Sequence, residues 1–277
     1  MKKRPYRKQT NIFPAVQYKH DLGQHFLYDV ALLTSLVDQI GLQHTDNVLE
    51  IGAGAGTLTR VLCNAAAHVT SVEVDEALMP NLLGMAQEIP NLTIIHKDIR
   101  KVNFQGLKLG EGFRVIANIP YSITTQIFDL FWGTDVPVSQ MAVMVQKEVA
   151  DKLVAVPGSK AYGLMSVRCR YYCEPEIVAQ IPASAFTPPP KVDSAFVNLK
   201  ICKEKLLPKE EEQLLWKLVN ASYRLRRKTL TNALKTVTDV PIERLQAILD
   251  AMGLPHTVRG EVLSVKQWVE LTHAIRD

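Results

Sequence analysis

A short apolar strand that leads into a cluster of glycines constrains the fold of this chain more than any other feature. Val48–Ile51 is apolar apart from Glu50, and Gly52-Ala53-Gly54-Ala55-Gly56 follows it. Glycines here permit a tight turn and let bare backbone approach a ligand. The next apolar segment, Val69–Val74, contains Glu73, about 20 residues on, where a carboxylate can accept both ribose hydroxyls of a nucleoside cofactor. A dinucleotide site is the alternative, but the G-x-G-x-G spacing fits it poorly.

Further apolar segments alternate with helical patterns along the first part of the chain. One helix is predicted after the glycines and another over Glu76–Gln87. The strands are apolar runs rather than alternating patterns, which is typical of a parallel sheet covered on both faces. Such doubly wound folds bind ligands at the carboxyl ends of their strands. Three more of these strands are predicted, at Leu92–Ile95, Val115–Ala117 and Met141–Val145.

The pattern changes after residue 173. Glu176–Ile181 and Ser194–Ile201 are predicted to be strands joined by the loop Pro182–Val192. Because no helix separates these strands, we expect them to pair antiparallel. The predicted fold class is therefore α/β, with a Rossmann-like, mostly parallel sheet that ends in an antiparallel pair.

The last part of the chain is predicted to be all-helical. Pro208 and Pro241 can open helices because proline fits the first helical turn, and Gly253 can end the second of them. Ser264-x-x-Gln267 is a capping-box pattern for the final helix. We predict a flexible basic arm at 1–20, an α/β domain at 21–203 and a small helical domain at 204–277.

The segment Asn118-Ile119-Pro120-Tyr121 follows the fourth predicted strand and carries the sharpest chemical signal. Proline forces the preceding residue to an extended backbone, which can aim the Ile119 carbonyl and the Asn118 amide oxygen at one point. Two converging acceptors would bind both hydrogens of an amino group, while Tyr121 would stack on a planar base. The acceptors would also stabilise positive charge that develops on the attacking nitrogen. The alternative is a rigid strand-to-helix turn without a ligand.

Three other segments allow both a functional and a structural interpretation. Asp98, just past the third strand, could accept an amine of a cofactor's adenine or could cap a helix. Phe186, within Phe186–Lys191, could cover the second face of an extruded base opposite Tyr121, or the segment could be a stiff connector. Gly23-Gln24-His25-Phe26-Leu27 could fold over a cofactor or form an ordinary loop.

The distribution of charge indicates a partner better than the total does. The net charge is only +4, but basic residues crowd both the N-terminal arm and one predicted late helix. Such clusters suit phosphate contacts, although solvated surfaces have the same composition. The residues of the late cluster are Arg224, Arg226, Arg227 and Lys228.

Composition narrows the class of protein further. The 277 residues, 47% of them hydrophobic and 22% charged, suffice for one large and one small domain. No apolar run approaches the roughly 20 residues that span a bilayer, and no apolar region follows the basic start as in a signal peptide. The four cysteines lack C-x-x-C spacing and the seven histidines form no H-x3-H pair. We therefore expect a cytoplasmic protein with reduced thiols, no membrane partner and no metal.

Taken together and in this order, the motifs resemble those of the KsgA/RsmA family of small-subunit ribosomal RNA adenine N6-dimethyltransferases. The similarity runs from Leu22–Leu27 to Arg259–Ser264. The family combines a Rossmann-like methyltransferase domain with a small helical domain. Its members dimethylate two adjacent adenines in the 3′-terminal hairpin loop of 16S RNA, within an assembling subunit. The intervening similar segments are Leu49–Thr59, Asn118–Tyr121, Gln146–Ala150, Ser159–Gly163, Phe186–Ala195 and Arg226–Leu230.

The resemblance implies S-adenosylmethionine as the cofactor, 16S RNA as the partner, and a role for each motif. Departures from the family pattern are mild, such as Ala53 where many members have proline and Ile119 where many have leucine. The helical domain and the late basic cluster would grip RNA phosphates. Cofactor contacts are expected at His25, Leu27, Gly52, Gly54, Glu73, Asp98, Ile99 and Asn118. The catalytic residues, which would hold the target adenine, are expected to be Asn118, Ile119, Pro120, Tyr121 and Phe186.

Three rival functions remain open from the sequence. The Erm group shares the glycine loop and an Asn-x-Pro-Tyr-like motif but methylates 23S RNA; Ser159–Gly163 and a helix over Arg226–Leu230 favour the small-subunit assignment. A non-catalytic RNA-binding assembly factor on the same fold is the second rival, and the intact Glu73, Asp98 and Asn118 argue against it. A nicotinamide oxidoreductase is the third and fits the glycine spacing least. Nothing in the sequence demands a dimer, so we expect a monomer.

Overall fold

The computed structural model describes residues 24–107 and 109–276, and the predicted basic arm at 1–20 lies outside them. Within the described residues, seven strands form one sheet and two short strands pair separately. The strands are β1 (Phe26–Leu27), β2 (Asn47–Ile51), β3 (His68–Glu73), β4 (Leu92–His96), β5 (Phe113–Asn118), β6 (Val138–Gln146), β7 (Cys173–Ile181), β8 (Phe186–Thr187) and β9 (Ser194–Ile201).

The main sheet has the order β4-β3-β2-β5-β6-β9-β7. The strands from β4 to β6 are parallel, and β9 runs antiparallel to both β6 and β7. This arrangement confirms the predicted fold class, including the antiparallel pair. β7 begins three residues before the predicted Glu176 and contains Pro175, which an edge strand tolerates because its outer side needs no donor.

Helices cover both faces of the sheet and build the last part of the chain. The capping box before the final helix is confirmed: Ser264 N–H donates to Gln267 Oε1 at 2.9 Å, and Gln267 N–H donates to Ser264 Oγ at 3.3 Å. The helices are α1 (Val30–Gln39), α2 (Thr57–Ala65), α3 (Met79–Glu88), α4 (Thr124–Phe131), α5 (Lys147–Val154), α6 (Leu164–Tyr172), α7 (Lys209–Arg224), α8 (Leu230–Leu234), α9 (Ile242–Ala251) and α10 (Val265–Arg276).

Two helix predictions need correction. The single helix predicted over Glu76–Gln87 is a 3-10 turn at Glu76–Leu78 followed by α3. Pro80 lies in the first turn of α3, where its missing N–H costs nothing, so the helix restarts there. The basic cluster lies only partly in a late helix: Arg224 is the last residue of α7, and Arg226–Lys228 form the turn that leads to α8. Leu230 N–H donates to Val258 O at 2.7 Å, a tertiary bond that directs the chain out of the turn.

The hydrophobic core has three parts. Two clusters lie on the two faces of the sheet, and a third fills the helical region around Trp268 and Leu215. This third cluster also contains Tyr162 and Tyr171, which precede residue 203. The helical region is thus packed against α6, and a boundary near 203 stays a prediction.

None of the described helices is both long and apolar enough to cross a membrane. Between residues 24 and 276, leaving out 108, no three histidine, cysteine or acidic side chains are grouped to hold a metal ion.

Candidate active site

A cavity of about 310 Å³ lies at the carboxyl ends of β2, β3 and β5. Doubly wound sheets bind their ligands at this position. Of the residues predicted for the cofactor and the base, Phe186 alone is missing from its wall. The residues brought together there are His25, Leu27, Gly52, Gly54, Glu73, Asp98, Ile99, Asn118, Ile119, Pro120 and Tyr121.

The glycine loop forms the floor of this cavity. Gly52 and Gly54 both have positive φ, at +77° and +56°, a region that side chains strain to reach. A Cβ on Gly54 would lie 2.8 Å from Cε1 of Phe26, so the loop packs directly against the segment before α1. Bare backbone is therefore required here, both for the turn and for the close approach.

Glu73 ends β3 beside the glycine loop and is buried. Its Oε2 accepts from Gly54 N–H at 2.9 Å, while Oε1 accepts from the N–H groups of Val74 and Asp75 at 2.8 and 2.9 Å. A carboxylate has about four acceptor positions, so Oε2 can take one further donor in this conformation. Glu73 is thus held rigidly, with acceptor capacity on the cavity wall.

Asn118 is fixed by the segment that precedes α1. Its Nδ2 donates to the backbone oxygen of His25 at 2.9 Å. The amide nitrogen is used in this bond, and the amide oxygen is the acceptor of the side chain. That oxygen can therefore accept a hydrogen bond from an incoming amine. Ile119 N–H donates to Met144 O at 3.3 Å, which anchors the loop to β6.

Tyr121 presents a ring whose hydroxyl is tethered. The hydroxyl lies 2.6 Å from Ser194 Oγ at the start of β9, and burial raises the tyrosine pKa. The ring faces that of His25, with centroids 5.7 Å apart and an interplanar angle of 26°. The aromatic face predicted for a base therefore exists, and a histidine covers it.

Phe186 packs in the core in this structure and does not line the cavity. Its backbone pairs with Leu27 in the β1–β8 ribbon, and its side chain is 2% exposed within the core cluster of one sheet face. The strand pairing directs the ring into the core because alternate residues of a strand point to opposite sides. The assignment of Phe186 to the base site stays a prediction.

Asp98 has the capping role that was offered for it, while its contact with an amine of the cofactor's adenine stays a prediction. It lines the cavity, and its carboxylate also caps the 3-10 turn Ile99–Lys101 by accepting from Arg100 N–H at 3.0 Å. The Arg100 guanidinium bonds the same carboxylate, with Nη2 2.6 Å from Oδ2, and this bonding lowers the Asp98 pKa. Arg100 also lines the cavity, and nothing in its sequence context indicated a role there.

Glu50 lies next to the site, and no role was predicted for it from the sequence. It is fully buried on β2, two residues before Gly52, and its Oε2 accepts from the hydroxyls of Thr59 and Ser71. Its Oε1 is buried without a partner in the described residues. Burial, opposed by the two hydroxyl bonds, raises its pKa to about 7. A carboxylic acid within an apolar strand is rare, so its sequence context alone could have indicated that Glu50 is a special residue.

The late basic cluster lies outside the cavity wall. Arg226 Nη2 is 3.3 Å from Glu261 Oε2, so this arginine is partly neutralised, whereas Arg227 and Lys228 are exposed in the turn. The cluster is thus a surface feature of the helical region.

The sequence match decides the family. Residues 15–277 match the family described as ribosomal RNA adenine dimethylase. The chain belongs to the ribosomal RNA adenine dimethylase family. Two relatives named ribosomal RNA small subunit methyltransferase A agree with this. The Lachnoclostridium phytofermentans protein is 38% identical over 93% of this chain and 91% of its own. The Clostridioides difficile protein is 37% identical over 94% and 91%.

Solved structures agree on the fold of this dimethylase. A dimethyladenosine transferase from Plasmodium falciparum superposes with a TM-score of 0.78 and 24% identity, covering 89% of this chain and 96% of that one. The 23S rRNA methyltransferase ErmE superposes with a TM-score of 0.73 and 26% identity, covering 91% and 100%. The predicted family, enzyme class and S-adenosylmethionine cofactor are confirmed by the family match and the relatives.

The residues of the cavity fit S-adenosylmethionine. Oε2 of Glu73 can accept from a ribose hydroxyl, the glycine loop offers bare backbone, and Leu27 and Ile99 give apolar walls. When bound, the cofactor supplies a methyl group on a positively charged sulfur.

We expect Glu73→Gln to weaken cofactor binding about 10- to 100-fold, because a charge-assisted acceptor becomes a neutral amide. Isothermal calorimetry with S-adenosylmethionine measures this dissociation constant. Glu76→Gln, at an exposed position just after β3, is the matched control and should bind normally. Equal affinities for the two variants would contradict a ribose contact at Glu73.

Proposed function

We propose that this dimethylase transfers methyl groups to N6 of two adjacent adenines in the 3′-terminal hairpin loop of 16S rRNA. One observation carries the proposal: Glu73, the glycine loop and the Asn118–Tyr121 loop all line the same cavity. A nucleoside cofactor and a planar amine held there would meet at the carboxyl end of β5. The relatives named small subunit methyltransferase A support the choice of ribosomal subunit.

The chain's own groups hold and orient the amine. The Asn118 amide oxygen and the Ile119 carbonyl accept its two hydrogens, so positive charge developing on nitrogen is stabilised by about 3 kcal/mol per well-placed group. Alignment of the amine toward the methyl group contributes roughly 7–11 kcal/mol. No strong base is required, because a methylated aromatic ammonium releases its proton readily to water.

The finer context follows from the same proposal. To bind a hairpin loop inside an assembling small subunit, the enzyme needs contacts with RNA phosphates outside the cavity. The basic cluster is suited to such contacts; it consists of Arg224, Arg226, Arg227 and Lys228. We propose that the enzyme acts there as a monomer in the cytoplasm.

Charge reversal at Arg227 tests the phosphate contacts. We expect Arg227→Glu to weaken RNA binding several-fold and to reduce the slope of log affinity against log salt by about one, because one phosphate contact is lost. Fluorescence anisotropy of a labelled 16S hairpin at several salt concentrations measures both. Lys235→Glu, an exposed position outside the cluster, controls for net charge. An unchanged slope for Arg227→Glu would place the RNA elsewhere.

The rival substrate is 23S rRNA, which the similarity to ErmE favours. Incubation of the enzyme and S-adenosylmethionine with purified small and large subunits, followed by mass spectrometry of the RNA, separates the two. Dimethyladenosine in the 16S hairpin supports the proposal. Modification of 23S RNA without 16S RNA would replace it with the Erm-like function.

A further inference from the structure

Arg100 lines the cavity, and the proposed function gives it no task. It lies in the 3-10 turn Ile99–Lys101, directly after Ile99, which forms an apolar part of the cavity wall. The Arg100 side chain is 48% exposed, whereas the side chain of Asp98, with which it pairs, is only 19% exposed. A half-exposed cation thus lies against a half-buried carboxylate in the wall of the cavity.

The Asp98 carboxylate is oriented by three N–H donors, all of which belong to Arg100. The backbone N–H donates to Oδ1 at 3.0 Å, Nε donates to Oδ1 at 2.9 Å, and Nη2 donates to Oδ2 at 2.6 Å. The planar guanidinium and the carboxylate therefore meet side by side, a geometry that fixes the direction of both groups. A carboxylate has about four acceptor positions, so roughly one is left for a ligand in the cavity.

The other side of the guanidinium is anchored as well. Its Nη1 donates to Oε1 of Gln126 at 2.9 Å. Gln126 lies in the first turn of α4, so the guanidinium connects the turn after β4 to this helix. A planar group that is bonded on both sides has little freedom to rotate, and it keeps the Asp98 carboxylate in one orientation.

The ion pair also decides which chemical group Asp98 can bind. The bonds from Arg100 lower the Asp98 pKa, so the carboxylate stays ionised when a ligand displaces water from it. An ionised carboxylate can only accept hydrogen bonds, and it therefore attracts an amino group and repels a carbonyl oxygen. Adenine carries an amine where hypoxanthine carries an oxygen. The pair thus favours adenine over hypoxanthine.

We propose that Arg100 is a positioning residue that sets the purine specificity of the cofactor site, because it directs the remaining acceptor position of Asp98 at the amine of the cofactor's adenine. This inference goes beyond the proposed function, which concerns the RNA, and it rests on the adenine contact predicted at Asp98. Arg100 acts through the carboxylate and needs no contact of its own with the cofactor.

The test compares the affinities of the full-length enzyme for S-adenosylhomocysteine and S-inosylhomocysteine, in which an oxygen replaces the adenine amine. Calorimetry measures both, and we expect the wild type to bind the adenine compound about tenfold more tightly or better. Arg100→Leu should weaken binding of the adenine compound about 3- to 10-fold, because a side-by-side ion pair at a half-exposed position is lost. Its binding of the inosine compound should not weaken, so the preference for adenine shrinks.

Three further variants separate the bonds of Arg100 from its charge. Arg100→Lys keeps the charge without the planar fork and should restore part of the preference. Lys101→Leu is the matched control: it removes an exposed neighbouring charge near Asp98 and should keep nearly all of the preference. In an Asp98→Ala background, Arg100→Leu should have no further effect, since the carboxylate through which Arg100 acts is gone.

The outcomes that overturn the proposal are distinct. Equal losses of affinity for both compounds in Arg100→Leu would show a general structural role. Tighter binding of the adenine compound would show that Arg100 competes with the cofactor for Asp98. A wild type that binds both compounds equally would remove the amine contact at Asp98, and the inference with it.

Failure of the proposed function is visible separately, because none of these binding measurements uses RNA. It would appear as absence of methyl transfer to the 16S hairpin by the wild type. A wild type that prefers the adenine compound, together with an Arg100→Leu variant that has lost this preference, supports the inference whichever RNA is the substrate.

Discussion

Replacement of Asn118 by alanine is expected to lower kcat about a thousandfold while leaving RNA affinity nearly unchanged. Loss of one preorganised polar group at a developing charge costs about 100- to 1000-fold in rate. Asn118 has a second task, because its Nδ2 donates to His25 O at 2.9 Å and so fixes the segment beside the cavity. The alanine variant loses both contacts, which places the effect at the upper end of that range.

The measurement is single-turnover methyl transfer from labelled S-adenosylmethionine, with RNA affinity determined in parallel by anisotropy. Thr125→Ala is the matched control, since Thr125 is an exposed position in the first turn of α4. An Asn118→Ala enzyme that transfers methyl at a normal rate would remove the amine grip from the proposed function.

The parts of the fold that depend on local pattern could be predicted from the sequence. Ser194–Ile201 is a strand with the predicted limits, and the parallel order of β2, β3 and β5 follows from apolar runs between helices. The glycine loop and Glu73 meet because both follow parallel strands at one edge of the sheet. Period and spacing carry this information.

The parts that depend on tertiary contacts could not be predicted. Phe186 turns into the core because it pairs with Leu27, a contact across 159 positions that no local pattern encodes. The turn at Arg226–Lys228 replaces the predicted helix because Leu230 N–H bonds to Val258 O. The stacking of His25 on Tyr121 likewise joins distant segments. Such contacts decide which face of a motif meets the ligand.

Glu50 gives the fold a dependence on pH that a single substitution should remove. Burial raises the pKa of this carboxyl from 4.5 to about 7, with the nearby charge of Glu73 adding to the effect and the hydroxyls of Ser71 and Thr59 opposing it. Between pH 4.5 and about 7, the Glu50 carboxyl is therefore mostly protonated in the folded chain and mostly ionised in the unfolded chain. Its contribution to stability is present below pH 4.5 and is lost as the pH rises through about 7.

We expect the free energy of unfolding of the wild type to fall by about 3 kcal/mol relative to Glu50→Gln between pH 4.5 and 8, because a carboxyl pKa raised from 4.5 to about 7 corresponds to that energy. The glutamine keeps the acceptor for Thr59 and Ser71 but cannot ionise, so any cost of its amide is independent of pH. Urea unfolding across this pH range measures the difference, and titrations common to both proteins cancel. Glu88→Gln, exposed at the end of α3, should parallel the wild type. Parallel curves for Glu50→Gln and the wild type would mean that Glu50 keeps an ordinary pKa in the fold, and that its two hydroxyl partners outweigh burial.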